Sequence, residues 1–154
     1  MTLRYNSPVG TIKIEYSENG ISKLIFTDET EGEEHKAAFQ VSPFTIQIDE
    51  YFNGNRKTFD LPLDLQGTDF QKKVWLELLK IPFGKTISYK ELSLRLGDIK
   101  AIRAVAAANG ANPVSIIVPC HRVIGSDRSL TGYAGGLWRK QWLLEHESSA
   151  LRLL

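Results

Sequence analysis

The segment Ile116-Ile117-Val118-Pro119-Cys120-His121-Arg122-Val123-Ile124 constrains this chain more than any other. Its ends have the composition of a buried strand, but its middle carries proline, cysteine, histidine and arginine. None of these is needed to stabilise a strand, and proline removes a ladder donor. Such a conflict between composition and local structure marks a position kept for function. It also suggests a chemistry. Only a thiolate is a good nucleophile, and a free cysteine near pKa ~8.5 is mostly protonated at neutral pH. A histidine can take the proton, and a carboxylate can orient that histidine. His121 is adjacent in sequence, although consecutive strand side chains point to opposite faces. A turn at Pro119-Cys120, or a bridging water, is therefore needed to join the two. Glu145 and Glu147 both stand as carboxylate candidates. Taken singly, a cysteine in an apolar run is more often an inert core residue, and a lone histidine more often a structural one. The tetrapeptide Pro119-Cys120-His121-Arg122 shifts that balance.

A chain of 154 residues can form one ordinary domain or two small ones packed together. Its 42% hydrophobic and 24% charged residues imply a folded core. With one cysteine, neither an internal disulfide nor a Cys-based zinc site can form. No metal is expected, and a reducing cytoplasm fits. No signal peptide is expected at Met1-Thr2-Leu3-Arg4-Tyr5, and no apolar run approaches a membrane span. Residues 1–60 hold six Lys/Arg against ten Asp/Glu, a net of −4, whereas 61–154 hold thirteen against eight, a net of +5. A basic second half suits a DNA-facing module, though a split of this size arises by chance more often than by function.

The first half reads as strands plus one helix. Thr11-Ile12-Lys13-Ile14-Glu15-Tyr16 and Ile21-Ser22-Lys23-Leu24-Ile25-Phe26 are β-prone, with Asn19-Gly20 expected to supply the positive φ angles of a hairpin turn. Residues 28–36 are acidic and read as an exposed loop. Ser42-Pro43 opens a helix with Phe44, Ile48, Tyr51 and Phe52 in one stripe, closed by Gly54. Residues 59–65, with Pro62 inside, read as an extended connector or edge strand.

The second half reads as helical. Thr68-Asp69-Phe70-Gln71 is a capping box for a helix burying Phe70, Val74, Trp75, Leu78 and Leu79, ended by Pro82 and Gly84. Ser88-Tyr89-Lys90-Glu91 is a second capping box, opening a short helix to Gly97. Asp98 then caps a third helix over 99–108, and the pair reads as a helix-turn-helix. After Gly135-Gly136 a last helix over 137–147 bears Trp138, Trp142, Leu143 and Leu144.

Val118-Pro119-Cys120-His121-Arg122-Val123 resembles the active-site signature of the O6-alkylguanine-DNA alkyltransferases. The resemblance extends to Ile81-Pro82-Phe83-Gly84-Lys85-Thr86-Ile87-Ser88-Tyr89, to Arg103-Ala104-Val105, and to Asn109-Gly110-Ala111-Asn112-Pro113. It continues through Thr131-Gly132-Tyr133-Ala134-Gly135-Gly136 and Trp142-Leu143-Leu144-Glu145-His146-Glu147, and even Ser7-Pro8-Val9-Gly10 fits the family's opening.

The resemblance implies an α+β protein: a small antiparallel-sheet domain over 1–62, then a helix-turn-helix (winged-helix-like) DNA-binding and catalytic domain over 63–154. It implies irreversible, single-turnover transfer of an alkyl group from guanine O6 in double-stranded DNA to Cys120, with no cofactor, by a monomer. Cys120 becomes the acceptor, His121 its base through a water, Glu147 the group orienting His121, and Asn112 the tie between recognition helix and active-site loop. A base inside a duplex must be rotated out, at a cost of roughly a few kcal/mol. Arg103 resembles the arginine that fills the gap. Tyr89 resembles the tyrosine that turns the 3′ phosphate, and its hydroxyl can protonate the leaving guanine. Ala104 and Ala107 let the helix approach the minor groove, whose degenerate pattern gives little sequence specificity. Tyr133 and Ala134 map onto the loop closing over the base, and backbone groups near Cys120 and Val123 read its edge.

Ile102 and Ala106 depart from the family's small residue and glycine, which bears on DNA affinity. No phosphate-lesion-sensing domain is expected before residue 1. Three rivals stand beside this reading: an alkyltransferase-like lesion-recognition protein, a helix-turn-helix regulator, and a Cys-His hydrolase.

Overall fold

The computed structural model describes residues 1–28 and 41–152, with side chains to 149. Three strands, β1 (Thr2–Ser7), β2 (Gly10–Ser17) and β3 (Gly20–Thr27), form an antiparallel sheet in the order β1-β2-β3. β1 was not foreseen, because only Leu3 and Tyr5 mark its apolar positions. The β2–β3 turn differs from expectation. Asn19 keeps a negative φ and Gly20 alone takes a positive one, +124°. Gly20 is required there for space as well, since a Cβ would lie 2.5 Å from the Pro62 carbonyl oxygen. The connector holding Pro62 runs beside β3: Ile21 N–H donates to Pro62 O at 2.9 Å, and Asp64 N–H to Ile21 O at 2.7 Å. Of the expected acidic loop over 28–36, all but Asp28 lies outside the described residues.

Helix α1 (Pro43–Phe52) starts as expected, with Ser42 accepting from Thr45 N–H and Pro43 in its first turn. Ile48, Tyr51 and Phe52 are buried against the sheet's core residues Ile12, Ile14 and Leu24. Helix α2 (Asp69–Leu78) opens on the full Thr68–Gln71 capping box and buries Val74, Trp75 and Leu78. Phe70 and Leu79, expected inside, are each 41% exposed. They sit at the two ends of the helix, Phe70 in its first turn and Leu79 at its C-cap. The Trp75 Nε1–H donates to Ala108 O at 2.8 Å and pins α2 to α4.

Strand β4 (Ile87–Ser88) leads directly into α3 (Tyr89–Arg95). Only half of the second capping box forms: Ser88 accepts from Glu91 N–H, but the Glu91 carboxylate turns to Arg95 Nε at 3.2 Å. Asp98 caps a 3-10 turn (Ile99–Ala101), which leads into α4 (Ile102–Gly110). The helix pair is therefore present, with its second helix starting later than expected.

The segment expected to be a broken strand is instead a chain of turns. Val114 makes one bridge to Leu24, Ile116 adopts φ +73°, and Cys120–Arg122 form a 3-10 turn. Only β5 (Val123–Ile124) is extended, pairing parallel with β4. That short ladder is the second sheet, and it shows no winged-helix detail. It does set the thiol-bearing turn beside the helix pair, because β5 follows Arg122 and β4 precedes Tyr89. The last helix, α5 (Leu137–Arg152), runs past its expected end. Among the described residues, no helix is long and apolar enough to cross a membrane.

Candidate active site

Cys120 and His121 share the 3-10 turn, so the opposition of neighbouring strand side chains does not arise. Pro119 precedes the turn and Arg122 N–H closes it onto Pro119 O at 3.0 Å. Asn112 shapes the loop from inside. Its amide donates to Val118 O at 2.8 Å and Val114 O at 3.3 Å, and its oxygen accepts from Val114 N–H at 3.0 Å. From α4, Asn109 Nδ2 donates to Cys120 O at 3.4 Å. A buried loop must satisfy its polar backbone somehow, and these two asparagines do much of it.

The focal point is Glu147. It is 1% exposed, in the body of α5 and not at a solvated helix end. His121 Nε2 lies 2.7 Å from its Oε2, and Tyr51 Oη–H donates to the same oxygen at 2.7 Å. Arg122 donates Nε–H to Oε1 at 2.8 Å and Nη2–H to Oε2 at 3.1 Å, while its Nη1–H reaches Ile81 O at 2.7 Å. Gly84 N–H adds a longer bond to Oε1, 3.4 Å. Burial alone would push this carboxyl up, but the His121 ring and the permanent Arg122 cation hold it well below the usual carboxylate range. An ionised Glu147 can only accept, so His121 carries its proton on Nε2 and leaves the Nδ1 lone pair of the neutral ring free. Nδ1 is buried and has no protein partner. Burial also lowers the His121 pKa, against the pull of Glu147, which keeps the ring neutral with its Nδ1 lone pair open to a proton.

Cys120 is 5% exposed. Burial pushes its thiol pKa up, partly offset by a hydrogen bond from Asn112 and by the charge of Lys140. Its resting form is therefore the thiol, and activation needs a base. Lys140 is fully buried, donating to Val123 O at 2.6 Å and Thr131 O at 2.8 Å, and burial lowers its pKa to about 8. Tyr133 is also buried, and its hydroxyl has no close partner. Burial and the nearby Cys120 raise its pKa.

Cys120, His121, Asn112 and Glu147 thus converge, with Tyr133 close by. Tyr89 stands at the rim, its hydroxyl donating to Thr131 O at 3.1 Å. Val123 is fully buried, and its carbonyl already accepts from Lys140. Arg103, Ala104 and Ala107 lie apart from this cluster on the exposed face of α4, and Ala134 is exposed on the Thr131–Gly136 loop. Glu145, the other carboxylate candidate, accepts from Gln141 on an exposed face. Among the described residues, no three His, Cys, Asp or Glu side chains are grouped to hold a metal ion.

Sequence reasoning missed Tyr51, Arg122 and Lys140 as members of the cluster. A signal for Lys140 was available. Lys140, Leu143 and Glu147 follow core spacing along α5, and all three are buried, whereas Trp138 is 57% exposed.

Known proteins place this arrangement. The model of the 6-O-methylguanine DNA methyltransferase DNA-binding domain matches residues 69–149, and that of the same proteins' ribonuclease-like domain matches 3–65. A methylated-DNA–protein-cysteine methyltransferase of Methanosarcina barkeri is 44% identical over 153 residues, covering 95% of this chain and 96% of its own. The crystal structure of the Mycobacterium tuberculosis O6-methylguanine methyltransferase superposes with a TM-score of 0.85 at 42% identity, covering 99% of this chain and 97% of its own. The same organism's protein in complex with DNA gives 0.85 at 44% identity, over 96% and 92% of the two chains. With both halves of the chain matched and the buried thiol, imidazole and carboxylate in one cluster, this protein belongs to the 6-O-methylguanine DNA methyltransferase family.

Proposed function

We propose that this protein repairs alkylated DNA by direct reversal, moving an alkyl group from guanine O6 onto Cys120. One observation carries the mechanism: His121 Nε2 is fixed by an ionised Glu147 at 2.7 Å, leaving Nδ1 buried and without a protein partner in the turn that carries Cys120. His121 takes the thiol proton, through a water. The Cys120 sulfur then attacks the alkyl carbon in line, forming an S–C bond as the O6–C bond breaks. The departing guanine takes up a proton, which the Tyr89 hydroxyl can supply. Thioether formation is irreversible here, so each molecule reacts once, and the acceptor is the protein itself rather than a cofactor.

The DNA-facing surface is the exposed side of α4. Arg103 fills the space left by the extruded base, and Ala104 and Ala107 let the helix backbone approach the minor groove. The base enters beneath the loop carrying Tyr133 and Ala134. Gly132 and Gly136, at φ +58° and +93°, let that loop turn tightly. We assign residues 1–62 to the smaller domain and 63–154 to the DNA-binding and catalytic one, acting as a cytoplasmic monomer on double-stranded DNA.

Incubation with DNA carrying O6-[methyl-labelled]guanine tests the reading. Stoichiometric label on the protein, lost in Cys120→Ala, is expected. Binding without transfer would instead indicate a lesion-recognition protein. Many turnovers per molecule would indicate a hydrolase, and indifference to the lesion a regulator.

A further inference from the structure

Glu147 collects donors from both halves of the chain, and one of them has no place in the scheme above. Tyr51 lies in the last turn of α1, in the half that carries the sheet, yet its hydroxyl ends on the oxygen that holds His121. The side chain is fully buried and fixed on several sides. Its ring packs at 5.7 Å from Phe59, 6.2 Å from Phe83 and 5.1 Å from His146 (centroid distances). Its carbonyl is held by His146 Nε2 at 2.7 Å. Packing alone would be served equally well by phenylalanine. A hydroxyl buried at this depth is instead placed to make a specific bond.

We propose that Tyr51 is a positioning residue for alkyl transfer: by donating to Glu147 Oε2 it shares that oxygen with His121 and sets how firmly the carboxylate holds the imidazole. The proposal rests on the alkyl-transfer reading. Three donors meet on that oxygen, from Tyr51, His121 and Arg122 Nη2, and divide its negative charge. Without the Tyr51 hydroxyl, Oε2 would bind the imidazolium more strongly, so His121 would stay protonated to higher pH and fewer molecules on the acid side would hold the neutral ring that takes the thiol proton. The charged and titratable groups facing this pair are Arg122 from the thiol-bearing turn, Lys140 from α5 and Tyr133 from the loop before it, together with Tyr51 itself. Burial and Glu147 both raise the Tyr51 pKa, so it remains a donor throughout the working range. The sheet-bearing half thereby contributes a functional hydrogen bond to a reaction whose other groups come from the second half.

The test is Tyr51→Phe in the full chain. The single-turnover rate of methyl transfer from O6-methylguanine DNA is followed across the pH range. The acid limb is expected to move up by about half a unit, with about a threefold loss of rate below it. Phe59→Leu, which loosens the same ring packing without touching Glu147, is expected to lower stability and leave the limb in place. A Tyr51→Phe profile that superimposes on the parent's, or is lowered uniformly, overturns the proposal while leaving alkyl transfer intact. A parent chain that transfers nothing removes the functional reading instead. Should Tyr51→Phe fail to fold, NMR of the parent chain decides. An exchange-protected Tyr51 hydroxyl proton whose shift follows the His121 titration supports the role, and its absence contradicts it.

Discussion

The helix starts and the ionic cluster around Glu147 draw their hydrogen bonds from opposite distances along the chain. At Thr68 and Ser42, the cap and the amide it accepts from are three residues apart. In the cluster, Arg122 reaches a carbonyl 41 residues away and a carboxylate 25 away, and Glu147 accepts a hydroxyl 96 residues away. Local bonds form with each helix and depend on little else. Long-range bonds exist only when the whole chain has folded, and they tie catalytic geometry to global stability. Damage at the first kind of site should therefore cost stability alone, and at the second kind stability and reaction together.

The largest effect is expected from Glu147→Gln. It leaves the buried Arg122 without its counter-charge, and breaking such a pair costs about 3 kcal/mol or more. Urea denaturation should show the loss, and methyl transfer should fall with it. The parent's stability should also be acid-sensitive in a defined order. Burial lowers the folded pKa of His121, so the unfolded chain protonates first and stability falls as pH drops below about 6.5. Glu147 is held below its unfolded value, so its contribution is complete above that value and is lost below about pH 4.3 as pH falls towards the folded pKa. Glu147→Gln should flatten this second decline.

Asn112→Ala comes next. It removes three hydrogen bonds from a buried loop, at a cost of about 2 kcal/mol. It should slow transfer more than that loss of folded protein explains. Thr68→Ala should cost about 1 kcal/mol in thermal unfolding and leave the transfer rate of the folded protein unchanged. Arg103→Ala, on an exposed face, should change stability by less than about 0.5 kcal/mol. It should weaken binding to lesion DNA about tenfold in a fluorescence anisotropy titration. A Thr68 variant that slowed transfer, or a Glu147 variant that only lost stability, would break the contrast.

The same contrast explains what was legible in the sequence. Ser42, Thr68, Ser88 and Asp98 all cap helical turns at the expected places, because the signal and the structure lie within one turn. Pairing His121 and Glu147 needed the family resemblance, since nothing in the spacing chose Glu147 over Glu145. Tyr51 was legible only as one apolar position in a helical stripe, because its partner lies in the other half of the chain. The strand-like composition at the start of 116–124 forms no ladder for a related reason. Its apolar residues are buried, but carbonyls of Val118 and Cys120 are met by the Asn112 and Asn109 side chains rather than by a ladder. Ile116 at φ +73° is the local mark of that arrangement, a conformation rare for a β-branched residue.

Peptide mass spectrometry after reaction with excess O6-methylguanine DNA tests the central claim most directly. One methyl group per chain, carried on the Cys120 sulfur and not rising with further substrate, is the expected result. Methyl on any other side chain, or restored guanine continuing to accumulate beyond one equivalent, would contradict it.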